Sequence, residues 1–280
     1  MKRNEKTTGP TEGAKLPSVD FRHEDMDSDD ANLKSKSLLD EGLYYSKAVK
    51  NLGGTMITQG PYADGFPRGA VIHSTAGRPN TGEDSVRMAI KEATNAYFVI
   101  GRGGKVFQNF PLNRWGRHAG TTVHTTLGSD VSRKCIGIEV VAAGWLIKID
   151  DNRFRPWYND PKKNPRTPGL PKLADDFPAS EVRYRTQIGV PREFGFQSAG
   201  YYHKFTAEQE ASLIDLLRWL QNQKPHVFKF DNVVGHDEVA VYDDMVTRGR
   251  KNDPGGALSV TMREFRQRLK EGALNLMELR

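Results

Sequence analysis

The chain has 280 residues, 37% of them hydrophobic, which is enough for a full buried core in one large domain or two small ones. No run approaches the ~18 apolar residues of a membrane span, and the single cysteine, Cys135, excludes an intrachain disulfide. A net charge of +6 and a pI near 9.3 favour acidic partners, which include nucleic acid, anionic lipid and the bacterial cell wall.

Met1 to about Ser37 is polar, carries the acidic cluster HEDMDSDD and lacks an apolar period, so a disordered leader is expected over 1–37 and a domain over 38–280. The opening MKRNEKTTGPTEG has basic residues with no apolar stretch behind them, and no secretory signal is visible. GAVIHSTAG, Gly69 to Gly77, reads as a short buried strand with His73 at its end. Val86, Ala89, Ile90 and Ala93 recur at helical spacing and predict a helix over 83–95. AYFVIGR and KVFQNF follow as a hairpin joined through Gly103-Gly104. CIGIEVVA is a further apolar strand with one acid, Glu139, inside it, and Cys135 reads as core.

From Gly144 to Lys204 the pattern weakens into a segment rich in proline, arginine and aromatic residues, too long for an ordinary loop. An insertion forming a lid or rim is expected at about 144–204. Thr206 and Gln209 then form a capping box for a helix that buries Leu213, Leu216, Leu217 and Leu220. NVVGH is a last short strand. Thr261 with Glu264 is a second capping box, and Val260 and Phe265 are spaced as a hydrophobic staple for a helix ending near Gly272. Strands and helices interleave without a regular βαβ series, which predicts an α/β fold with a mixed central β-sheet flanked by helices. His124 and His203 match no motif and are expected at the surface.

His73 and His236 each lie just past an apolar strand, and Asp253 is followed by a proline, so all three can converge at one edge of the sheet. Two histidines, one carboxylate and an open fourth position describe a catalytic zinc site, since structural zinc closes its shell, usually with cysteines. Spacing alone does not decide between that site and ordinary hydrogen-bonded residues at strand ends.

The blocks AVIHSTAG, NAYFVIGRGGKVFQNFP, RHAG, IGIEVV, FTAEQEASL and GHDEVA…GRKNDPGGAL, in this order, resemble the type 2 N-acetylmuramoyl-L-alanine amidases. That is the zinc amidase and peptidoglycan recognition protein family, which includes amidase-type phage lysozymes. The resemblance implies Zn2+ held by His73, His236 and Asp253, with Glu139 as catalytic acid and base and Lys251 stabilising the oxyanion. His118 and Tyr97 are the nearest matches to substrate-side residues. The implied reaction cleaves the amide between N-acetylmuramic acid and L-alanine of peptidoglycan.

Two departures from the family pattern stand out. The segment VYDDMVTR lengthens the interval from His236 to Asp253, so Asp243 and Asp244 compete as the third ligand, with Asp253 preferred. Arg117 replaces the family's tryptophan before His-Ala-Gly, with Trp115 two residues earlier. The implied partner is the glycan strand and stem peptide of peptidoglycan, with no nucleic acid, no stable membrane insertion, and no immunity or delivery protein identified. A protein made in the cytoplasm and acting on the wall after release or delivery, as an endolysin or antibacterial effector, fits the missing signal. A cytoplasmic recycling amidase acting on anhydromuropeptides is the alternative enzyme, and a non-catalytic peptidoglycan receptor the alternative of a different class.

Overall fold

The computed structural model describes residues 44–50, 59–77, 79, 96–160, 162 and 176–278. The leader expected over 1–37 and the helix expected over 83–95 lie outside them. The central sheet contains β1 (Val49–Lys50), β2 (Gly69–Ser74), β3 (Phe98–Ile100), β4 (Val106–Gln108), β5 (Cys135–Val140) and, after the second sheet, β11 (Val233–Gly235). Its order is β1-β4-β3-β5-β2-β11, and only the β3–β4 hairpin is antiparallel. Strands β2 and β5 read as apolar runs because both of their faces are covered, as parallel strands require. Their register sets His73 beside Glu139.

Helix α1 (Ala207–Gln223) packs Leu213, Leu216, Leu217 and Leu220 into the main core with no exposure. Its cap does more than end the helix. The Thr206 hydroxyl accepts from the Gln209 backbone N–H at 3.1 Å, and Gln209 Oε1 accepts from the Thr206 N–H at 3.0 Å. The Gln209 amide then donates to the Ile100 and Val141 carbonyls, at 3.2 and 2.9 Å, tying the helix start to β3 and to the exit of β5.

A one-turn helix, α2 (His236–Val239), follows β11 directly, and α3 (Met262–Glu278) closes the domain. The second capping box is present at Thr261 and Glu264, and Val260 packs against the cluster that contains Phe265. The helix expected to stop near Gly272 runs on to Glu278. Gly272 serves close packing here, because a side chain at that position would overlap the Arg218 guanidinium of α1.

The segment expected to be an insertion forms a second sheet. Strands β6 (Trp145–Lys148), β7 (Arg153–Pro156), β8 (Phe177–Pro178), β9 (Val182–Arg185) and β10 (Gly200–His203) pair antiparallel in the order β8-β7-β6-β10-β9. Its own small core holds Ala143, Leu146, Phe154 and Val182.

His124 and His203, expected at the surface, are 4% and 1% exposed. Each imidazole accepts from backbone amides, His124 from Thr126 and Leu127 and His203 from Ala143, and each packs against a phenylalanine ring. Among the described residues no helix is long and apolar enough to cross a membrane.

Gln209→Ala removes the side-chain half of the capping box and the donor to the buried Val141 carbonyl, while the Ile100 carbonyl keeps the Val141 N–H. It is expected to lower the unfolding free energy by about 2 kcal/mol. The exposed change Gln267→Ala is expected to stay within about 0.5 kcal/mol of wild type. Urea denaturation of both variants checks the difference.

Candidate metal centre

The parallel strands end at a cleft of about 540 Å³, the usual place for a site in an open α/β sheet. His73 comes from the end of β2, Glu139 from the neighbouring end of β5, and His236 from the first position after β11. Asp253 lies in the segment that leads into the turn Gly255–Ala257. His73, His236 and Asp253 offer ligand atoms within 4.8 Å of one another, the one such group of three among the described residues. His73 Nδ1 lies 3.1 Å from His236 Nδ1 and 3.3 Å from Asp253 Oδ2, and His236 Nδ1 lies 3.1 Å from the same oxygen.

Hydrogen bonding on the far side of each ring fixes which nitrogen carries the proton. His236 Nε2 donates to the Ala119 carbonyl at 2.9 Å, so its Nδ1 presents a lone pair. His118 Nε2 donates to the Cys135 carbonyl at 3.0 Å, so its Nδ1 accepts from His73 Nε2 at 3.0 Å. His73 Nδ1 is thereby left as a lone pair as well. Burial, reinforced by the neighbouring His236, lowers the His73 pKa to about 4, and burial, reinforced by His73, lowers that of His118 to about 3. Both rings are neutral at pH 7.

Two imidazole lone pairs and a carboxylate oxygen therefore face one another, with the ring protons turned away. That donor set suits a divalent cation such as zinc, and both outward hydrogen bonds are the kind that orient metal-binding histidines. Glu139 stands beside the group in the cleft wall with its Oε2 buried and without a partner. Burial, then the Asp253 charge, pushes its pKa up to about 8, and Lys251 on the same wall opposes the rise.

Asp243 and Asp244 are exposed and outside the cluster, and Asp244 is committed to a turn with Val246 and Thr247. The structure brings Asp253 to the histidines instead. His118, expected on the substrate side, lines the cleft next to His73, with both of its ring nitrogens engaged by protein atoms. It fits there because Gly137 of β5 has no side chain, and a Cβ at that position would lie 2.7 Å from the imidazole. Tyr97 is not a cleft residue. It is fully enclosed in the core, with its ring centroid 3.9 Å from that of Phe110 and 6.1 Å from that of Tyr62.

Sequence reading missed Asp237. Its backbone N–H donates to the Asp253 carbonyl at 2.8 Å and its Oδ2 accepts from the Gly255 N–H at 3.1 Å, so it grips the ligand segment on both sides of Pro254. The available signal was an acid directly after a candidate ligand. Arg250 was missed too; it donates to the carbonyls of Val241, Thr121 and Ala119 and so ties the segment before Asp253 to the one after His118.

No curated protein matches the chain by sequence. Among solved structures, it is similar to a selenomethionine AmpD derivative, with 16% identity over 82% of this chain and 97% of that one and a TM-score of 0.43. The endolysin N-acetylmuramoyl-L-alanine amidase LysCS from Clostridium intestinale gives 16% identity over 81% and 97%, with a TM-score of 0.41. The N-acetylmuramyl-L-alanine amidase AmiD from E. coli gives 17% identity over 80% and 66%, with a TM-score of 0.42. The sequence model of N-acetylmuramoyl-L-alanine amidase matches residues 63–256, a stretch that holds all three converging ligand candidates and Glu139, and the chain belongs to that family.

Proposed function

We propose that residues 38–280 form a zinc-dependent amidase that hydrolyses the bond between N-acetylmuramic acid and L-alanine in peptidoglycan. The observation that carries this reading is the convergence of His73 Nδ1, His236 Nδ1 and Asp253 Oδ2 within 3.1–3.3 Å, beside the unpartnered Glu139 Oε2. When bound there, zinc supplies a Lewis acid that makes water nucleophilic near neutral pH and polarises the scissile carbonyl.

The chain's own residues do the rest. Glu139 takes the proton of the attacking water and delivers it to the leaving L-alanine nitrogen, so one carboxylate serves both halves of the reaction. Lys251, exposed on the cleft wall, offers positive charge where the carbonyl oxygen becomes negative. His118 holds the His73 ring in its tautomer and orientation. Trp145 and Trp157, from the inserted segment, line the cleft and provide flat faces for a sugar or peptide. The net charge of +6 favours polymeric anionic wall over small soluble muropeptides as the substrate.

Digestion of purified sacculi with mass spectrometry of the soluble products tests the activity. Peptides with a free L-alanine amino terminus are expected, and binding to sacculi with no such release in zinc-loaded protein contradicts the enzyme reading. Glu139→Gln keeps the shape but cannot carry the proton, so kcat is expected to fall by about 10²- to 10⁴-fold with zinc binding retained. His118→Ala is expected to weaken zinc by about 10- to 100-fold in chelator competition. Trp157→Ala is expected to raise KM with kcat little changed, as measured on a muropeptide series.

A further inference from the structure

The insertion reaches beyond the cleft rim and grips the segment that carries Asp253. Strands β9 and β10 lie against Gly255–Leu258, directly after the third ligand. Arg183 Nη1 donates to the carbonyls of Gly256 at 3.1 Å and Ala257 at 3.0 Å and also to that of Leu258, while Arg185 Nη2 donates to Leu258 at 2.9 Å. These guanidinium groups give the carbonyls at the end of the 3-10 turn charged donors, in addition to the Phe205 N–H that Ala257 already holds.

Tyr202 of β10 closes the same turn from its face. The residue is 1% exposed, and its ring lies where the side chains of residues 255 and 256 would stand if they were not glycine. A Cβ on Gly256 would sit 2.6 Å from the Tyr202 ring, and Gly255 also has a φ of 49°, the left-handed region. The Pro-Gly-Gly sequence is thus shaped to receive the inserted sheet.

A second grip comes from the loop between β9 and β10. Gln197, 2% exposed, donates its amide to Asp237 Oδ2 at 3.1 Å. That oxygen also accepts from Gly255, and the Asp237 backbone N–H holds the Asp253 carbonyl. Gln197 therefore orients the acid that holds the ligand segment on both sides of Pro254.

We propose that the inserted sheet is a positioning element for the metal site, with Arg183 and Gln197 fixing where Asp253 Oδ2 stands relative to the two imidazoles. This rests on the reading of His73, His236 and Asp253 as zinc ligands. Neither residue needs to touch substrate or metal. Groups that orient a ligand set its affinity for metal, typically by 10- to 100-fold, whereas groups that only line a substrate cleft do not.

The test compares Arg183→Ala, Arg183→Lys and Gln197→Ala with Arg153→Ala, a change on β7 of the same sheet where the side chain pairs with exposed Asp150. Zinc affinity is read by competition with a chromophoric chelator, ligand geometry by the visible absorption of the cobalt(II) protein, and folding by far-UV circular dichroism of the metal-free protein. Arg183→Ala and Gln197→Ala are expected to stay folded, to weaken zinc by about 10- to 100-fold and to alter the cobalt spectrum, with Arg183→Lys recovering part of the loss. Arg153→Ala is expected to match wild type. The proposal is overturned if folded Arg183→Ala and Gln197→Ala keep wild-type zinc affinity and cobalt spectrum, or if Arg153→Ala weakens zinc equally. If wild type binds neither zinc nor cobalt, the metal reading itself fails and the proposal falls with it.

Discussion

Two imidazoles that turn their Nδ1 atoms toward one carboxylate oxygen form the constraint on which the rest of this structure depends. Left alone, the arrangement is electrostatically poor, since two lone pairs 3.1 Å apart repel and both rings are oriented to turn their protons away. The protein invests heavily in keeping it. The Ala119 and Cys135 carbonyls and the His118 ring fix the two tautomers, the parallel β2–β5 register sets Glu139 beside His73, and Asp237 holds the segment of Asp253. Each device costs buried polar hydrogen bonding that a simple core would avoid, and the zinc proposed at the focus would make the set coherent.

The sheet and the second histidine shell explain why several small residues sit where they do. Gly137 interrupts an apolar strand so that His118 can stand next to His73, and Gly255 and Gly256 make room for Tyr202. In each case a missing side chain on one element is the space in which a polar or aromatic group from another element does its positioning.

Much of this was legible in the sequence. The buried strands carry continuous apolar runs, the Thr206 and Thr261 caps are local patterns, and His73, His236 and Asp253 stand at strand ends or before a proline where convergence is physically reasonable. What was not legible depends on contacts distant in sequence. The segment read as an inserted lid or rim gave no sign of a sheet, because its strands are two to four residues long and rich in arginine and proline, so no period-2 signal accumulates. His124 and His203 pack against Phe194 and Phe177, and His203 accepts from the distant Ala143 N–H, contacts that composition does not announce. The engagement of both His118 ring nitrogens by His73 and the Cys135 carbonyl, and the burial of Tyr97 in the core, rest on partners distant in sequence that a motif match does not carry.

The central claim is that the focus of these three side chains is a zinc site that drives amide hydrolysis. Zinc-edge X-ray absorption on active protein, set against metal content and turnover in the same sample, tests it most directly. The account predicts stoichiometric zinc with two imidazole nitrogens at about 2.0–2.1 Å and a carboxylate oxygen at about 2.0–2.2 Å, and turnover that rises in proportion to bound metal. Full turnover in metal-free protein, or a zinc shell without imidazole, would contradict it.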